Sequence, residues 1–261
     1  MMLKGLKWKK TKKKMEEVRL NELKKLASQY FNVAASHVDQ NLNLNEELLK
    51  AIKGRVINED AEIPAFEQKP MKFGVFQNRE FVAMMTDIRA STEIINGPSG
   101  TTTMFLIFYI YAGIVAKIVD YHGGTSTEFL GDGVLNLFDT EEFKLEGALK
   151  KSVLASWDIL EARNKVLNPF FTSVGLPNIN FGIGIDHGVT IVTRFGYRGD
   201  TDLKAFGKCV YNSSKLSKGM NQIFVSQKSQ NVWPVSSDGR LGFNNPQQLK
   251  DVVGVPLYLI R

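Results

Sequence analysis

Two periods of hydrophobic spacing divide this chain. Val18, Leu20, Leu23, Leu26 and Tyr30 recur at helix-compatible spacing, and Leu48, Leu49 and Ile52 resume it after an Asn-rich break, so residues 15–54 read as helical. Residues 55–76, with Pro64 and Pro70, read as a connector. The pattern then changes. Phe81–Thr86 is a short apolar run of the buried-strand kind, and Asp87 stands where it ends. Thr101 to Tyr121 is an apolar segment of helix length, stopped by Gly123-Gly124. Thr125–Leu130 and Val134–Phe138 flank a Gly-Asp-Gly turn, a hairpin signal. Glu141 to Asn168 predicts a second long helix. Asn178–Ile185 and Val189–Arg194 predict strands around a turn at Asp186-His187-Gly188. A short helix over Asn212–Gly219 and closing strands at Gln222–Ser226 and Pro256–Ile260 complete the chain.

The order β-α-β-β-α-β is that of a ferredoxin-like α+β core. Three segments follow: a tail over 1–14, a helical extension with its connector over 15–76, and a main domain over 77–261.

Composition narrows the class. A 43% hydrophobic content over 261 residues supports a sizeable globular core. One cysteine, Cys209, rules out an internal disulfide and fits a reducing cytoplasm. The longest apolar run, Met104 to Ala116, is short for a membrane span, and residues 1–14 have neither the apolar core nor the cleavage-like site of a secretory leader. The +6 charge sits in the tail: residues 1–14 hold seven lysines and no acid, which leaves the rest of the chain at −1. That tail reads most simply as solvated and partly helical. Its Leu3, Leu6 and Trp8 also suit an anionic surface. No later basic patch is interleaved with aromatics, so nucleic-acid readout is not expected. His37, His122 and His187 are scattered without metal-ligand spacing.

The candidate chemistry lies in two aspartates. Asp87 ends the first predicted strand and Asp132 tips the hairpin, separated by a helix-length segment. In the expected topology the first strand lies beside the hairpin, which sets the two carboxylates together at one end of the sheet. Each alone is an ordinary turn residue. Together they suit two divalent cations acting on a triphosphate.

Three blocks carry a family resemblance: Phe81–Thr92 (FVAMMTDIRAST), Gly123–Phe138 (GGTSTEFLGDGVLNLF) and Phe181–Leu216, with its Gly184-Ile185-Asp186-His187-Gly188 segment. In that order and spacing, residues 78–260 resemble the catalytic domain of class III adenylate/guanylate cyclases. The resemblance implies conversion of a nucleoside triphosphate to a 3′,5′-cyclic nucleotide and pyrophosphate. It implies two Mg²⁺ or Mn²⁺ ions held by Asp87, Asp132 and the backbone carbonyl of Ile88. Backbone N–H groups of Ile88–Thr92 would cradle phosphate, and Arg198 falls where the family binds triphosphate. It further implies a head-to-tail homodimer with active sites between the two copies.

The departures bear on the substrate. The positions that read the base in the family hold Glu128 and Lys204, which match neither purine pair. A carboxylate accepting an N–H and a lysine donating to a carbonyl are compatible with uracil. The two side chains could equally pair with each other. The positions of the family's ribose-orienting Asn and transition-state Arg hold Tyr211 and Lys215. Asn212 is adjacent to the first, but one residue turns a helix by about 100°. In these respects the chain resembles the standalone pyrimidine cyclases of bacterial Pycsar anti-phage systems. That resemblance implies UTP, ahead of CTP, as substrate and a separate effector activated by the cyclic product. A guanylate or adenylate cyclase, and a binding module without turnover, stand as alternatives.

Overall fold

The computed structural model describes residues 15–36, 38, 45–53, 77–197, 200–233, 241–249 and 251–259. The tail, the connector with Pro64 and Pro70, His37 and Arg198 lie outside the described residues.

Helices α1 (Glu17–Ser36) and α2 (Glu46–Lys53) precede the sheet. The core follows as β1 (Gln77–Arg89), α3 (Ser91–Ile95), α4 (Gly100–Tyr121), β2 (Thr125–Leu130), β3 (Gly133–Asp139) and α5 (Thr140–Ala162). A π-turn over Arg163–Leu167 leads into α6 (Asn168–Ser173), and then come β4 (Asn180–Tyr197), β5 (Asp200–Phe206) and α7 (Lys208–Leu216). The chain closes with β6 (Ile223–Ser226), α8 (Gln227–Asn231), β7 (Leu241–Phe243), β8 (Gln247–Leu249) and β9 (Val252–Leu259). The central strands lie in the order β2-β3-β1-β4, and β6, β9 and β7 extend the sheet. The α+β class and the ferredoxin-like arrangement expected from sequence are both present.

Side-chain alternation along β1 divides the core in two. Val82, Met84 and Ile88 face α4 and α5 in the main core, with Val134 and Phe138 of β3. Phe81, Ala83 and Met85 face the opposite side with Leu135 and Leu137, where Leu203 and Ala205 of β5 and Cys209 of α7 cover them. Helix α1 belongs to the main core: Tyr30 lies over Gly113 of α4 so closely that a Cβ there would sit 2.2 Å from its ring. The Gly123-Gly124 stop is as expected, with Gly123 at φ +74° and the Gly124 N–H bonded back to the Val119 carbonyl.

Several elements differ from the sequence reading. Asp186-His187-Gly188 is no turn. It lies inside one 18-residue strand that pairs with β1 from Asn180 to Val192. The catalytic-helix segment runs Lys208–Leu216, starting directly after Gly207. Gly182 and Gly184 let its C-terminal end press onto β4, since a Cβ at Gly184 would stand 2.1 Å from the Ser213 carbonyl oxygen. Strands β5, β7 and β8 were not anticipated, and the last strand begins at Val252 rather than Pro256. Asp87 lies within β1, two residues before its end. The apolar run Met104–Ala116 is part of a 22-residue helix long and apolar enough to cross a membrane by length and composition. Two-thirds of its most apolar window is buried against the rest of the protein, as in a core helix.

Candidate active site

Asp87 and Asp132 are brought near each other by the β1–β3 ladder. Asp87 is paired with Gly133, and the Ile88 N–H donates to the Asp132 carbonyl oxygen across 3.1 Å. Gly131, at φ +61°, turns the hairpin that presents Asp132. Asp132 Oδ2 accepts from the Ser91 hydroxyl. Asp87 Oδ2 pairs with the Arg89 guanidinium and lies 3.6 Å from Lys218 Nζ. Burial lowers the Arg89 pKa, and the nearby Asp132 charge opposes that shift. Thr92 is exposed in α3, and Ile88 has already given its N–H to Asp132.

Among the described residues no group of three or more His, Cys, Asp and Glu side chains is assembled. The donor set at Asp87 and Asp132 is all oxygen. It fits a hard divalent ion that keeps several waters and takes further ligands from phosphate, as Mg²⁺ does. It does not fit a closed nitrogen and sulfur site.

Glu128 sits at a bulge in β2 and is 8% exposed. Its Oε1 accepts the Ala205 backbone N–H at 2.8 Å, and its Oε2 lies 3.4 Å from Lys204 Nζ. The two predicted base-reading residues therefore stand together, paired with each other, and the carboxylate also latches β5 to β2.

Helix α7 carries the third group. Tyr211 is half exposed, donates its hydroxyl to Asp251 Oδ2 at 3.0 Å, and has its pKa raised by that bond. Lys215 places its ammonium 4.8 Å from the Tyr211 ring centre. Asn212 turns the other way, toward β4, and donates to Asp186 Oδ2 at 2.7 Å. Asp186 also accepts from Ser226 and, at 3.4 Å, from Ser229; Ser229 in turn lies 2.9 Å from His187 Nδ1. This network borders an open groove of about 560 Å³ whose rim carries Lys208, Lys228 and Asp251. Burial, aided by Lys228, depresses the His187 pKa, against the pull of Asp186 and Glu80.

Within this chain the Asn212 anchor stands apart from the carboxylate pair. Asp186 is opposite Ala83 and Asp87 is opposite Gly182, so four ladder steps, about 13 Å, separate the Asn212 anchor from the carboxylate pair. Sequence reasoning missed Ser91, Arg89 and Lys218 as neighbours of the carboxylates. It took Asp186 for a turn residue, where the structure has a buried strand residue.

No protein-family model matches the chain. An adenylate cyclase of Anabaena cylindrica is 25% identical over 146 residues, which are 56% of this chain and 28% of that protein. The chain thus matches little more than a quarter of its curated relative's length. Among solved structures, the guanylyl cyclase Cya2 superposes with a TM-score of 0.58 at 25% identity, covering 71% of this chain and 94% of that one. The adenylyl cyclase CyaB from P. aeruginosa gives 0.58 at 20% identity, covering 72% and 97%. The fold is that of a class III nucleotidyl cyclase catalytic domain. These likenesses include proteins named for either purine.

Proposed function

We propose that the protein is a nucleotidyl cyclase that converts a nucleoside triphosphate to its 3′,5′-cyclic monophosphate and pyrophosphate. The observation that carries this reading is the juxtaposition of Asp87 and Asp132 across the β1–β3 ladder in a cyclase fold. Asp87, Asp132 and the Ile88 carbonyl would hold two Mg²⁺ or Mn²⁺ ions. Such ions lower the pKa of an attacking hydroxyl and neutralise phosphate charge. The chain's own part is to place the ribose 3′-oxygen in line with the α-phosphorus and to keep the triphosphate still. Arg198 and the backbone at Thr92 serve the phosphates, and Lys215 faces the charge that develops on the departing pyrophosphate. Tyr211 and Asn212 border the sugar.

The working unit is a homodimer. Val189, Ile191 and Phe206 form an exposed apolar strip on β4 and β5, with Val189 at 65% and Phe206 at 58% exposure. A second copy on this strip would bring α7 groups of one protomer toward the carboxylates of the other.

The substrate is a pyrimidine nucleotide, UTP ahead of CTP. Support comes from the meeting of Glu128 and Lys204 in one half-buried spot, where one acceptor and one donor suit uracil N3–H and a carbonyl. With that substrate, the cyclic product acts as a cytoplasmic anti-phage signal read by a separate effector. Glu128 also favours a second reading, a guanylate cyclase, because guanine N1–H suits the same acceptor.

The test is product formation from ATP, GTP, CTP and UTP separately, with Mn²⁺ supplied and products resolved by chromatography. Cyclic UMP as the main product supports the reading. A cyclic purine would transfer the assignment to the purine cyclases, and no product from any triphosphate would leave a binding module.

A further inference from the structure

The two carboxylates of the candidate site have unequal company. Among the described residues, Asp132 accepts one side-chain hydrogen bond, from the neutral Ser91, and has Arg89 only as a charged neighbour. Asp87 meets two cations at a single oxygen, Arg89 and Lys218. They arrive by different routes. Arg89 follows Asp87 in β1 and also donates from Nε to the Asp87 carbonyl oxygen at 3.2 Å. Lys218 comes from the loop that leaves α7. That loop can press on the sheet because Gly182, the β4 residue directly opposite Asp87, has no side chain. A Cβ there would stand 2.2 Å from the Ser217 carbonyl oxygen and 2.4 Å from that of Gly219.

The charges are therefore matched before any ligand arrives: two carboxylates, one guanidinium and one ammonium. A bare divalent ion entering this cluster meets two positive neighbours at the oxygen it needs. An ion that arrives on a polyphosphate meets the same cluster with negative oxygens to offer. Arg89 and Lys218 can then pass from Asp87 to phosphate, and no charge is left unpaired.

We infer that Arg89 and Lys218 make the Asp87–Asp132 pair a receptor for a metal–polyphosphate complex rather than for free metal, by holding Asp87 until phosphate oxygens take their place. The inference rests on the cyclase reading for the identity of the polyphosphate. Its test uses binding alone, so it stands or falls apart from turnover.

The experiment measures Mn²⁺ binding by electron paramagnetic resonance, and binding of inorganic pyrophosphate in saturating Mn²⁺ by calorimetry, on the full chain. Lys218→Gln is expected to bind Mn²⁺ alone about threefold to tenfold more tightly than wild type, because one repulsive charge is gone. It is expected to bind pyrophosphate about tenfold more weakly, because one phosphate partner is gone. Lys218→Arg should keep wild-type values for both. Arg89→Gln, in a different element, should repeat the pattern of Lys218→Gln. Mn²⁺ affinity that is unchanged or lower in Lys218→Gln, or pyrophosphate affinity that is unchanged, overturns the inference. Failure of the cyclase reading shows separately, as absence of cyclic product from wild type.

Discussion

Glu128 accepts the backbone N–H of Ala205 across 2.8 Å, so a side chain of β2 holds the main chain of β5. The same carboxylate offers its other oxygen to Lys204. Under the proposed reading, structure and recognition share one residue, and substitutions can separate them. Glu128→Gln keeps an acceptor for Ala205 and loses the charge. It should fold as wild type does and shift the ratio of kcat/KM between uracil and other bases by about tenfold, the range of one charged hydrogen bond. Glu128→Ala leaves the buried Ala205 N–H without its partner and should cost about 1–3 kcal/mol in urea unfolding. A Glu128→Gln variant with unchanged base preference would remove Glu128 from recognition.

Asp186 and Asn212 form the second such relationship, deeper in the protein. Asp186 is the hub for Asn212, Ser226 and Ser229. Asp186→Ala removes the acceptor that Asn212 and Ser226 share, although Ser226 and Ser229 keep each other, and should cost about 2–4 kcal/mol of stability, read by denaturant midpoint. Asp186→Asn keeps the volume and part of the bonding and should cost less than half of that. Equal losses in the two variants would show that the network contributes only packing.

The central topology was legible because each step has a local sign: an apolar run for β1, a Gly-Gly stop after α4, a Gly-Asp-Gly turn between β2 and β3. The nearness of Asp87 to Asp132 followed from that topology. Asp186-His187-Gly188 misled because Asp and Gly favour turns in isolation. Here a strand tolerates them, since Ser226 and Ser229, some 40 residues on, satisfy the buried polar atoms. Strand β5 escaped notice because its seven residues hold few apolar side chains: Leu203 and Ala205 reach the core, while Phe206 is exposed. Lys218 was unreadable for a related reason. Its approach to Asp87 depends on a glycine in another strand, and no local pattern encodes that.

Ala90 holds a left-handed backbone, φ +61°, between β1 and α3, next to the carboxylate site. An L-residue with a Cβ is strained there. Ala90→Gly should raise stability by about 0.5–1 kcal/mol once the added freedom of the unfolded chain is offset, and Ala90→Val should lower it by at least as much. Thermal unfolding of both variants checks the sign.

His187 links stability to pH. Its native pKa is depressed below the ordinary 6.5, chiefly by burial. The unfolded chain therefore takes up a proton before the native one does. The contribution is complete above pH 6.5 and declines as pH falls through the interval between 6.5 and the lower native value. His187→Gln should flatten the stability profile over that interval, measured by unfolding at fixed denaturant from pH 7.5 to 5. A profile of the same slope in the variant would assign the dependence to other groups.

The separation of the Asn212 anchor from Asp87 within one protomer, about 13 Å along the ladder, has a consequence for mixed assemblies. Suppose each active site takes its carboxylates from one copy and its α7 groups from the other. Asp132→Asn removes the first contribution and Lys215→Ala the second, and each homodimer should be nearly inactive. In a mixed dimer both defects can fall in the same site, which leaves the other site intact. Random assortment makes half the dimers mixed, each with one working site, so an equimolar mixture should recover about a quarter of wild-type activity. Subunits must exchange for this to appear, which co-expression of the two variants ensures. Recovery near that level supports shared sites. Activity no higher than that of the separate variants would mean that each protomer builds its site alone, with Asp132 and Lys215 serving the same one.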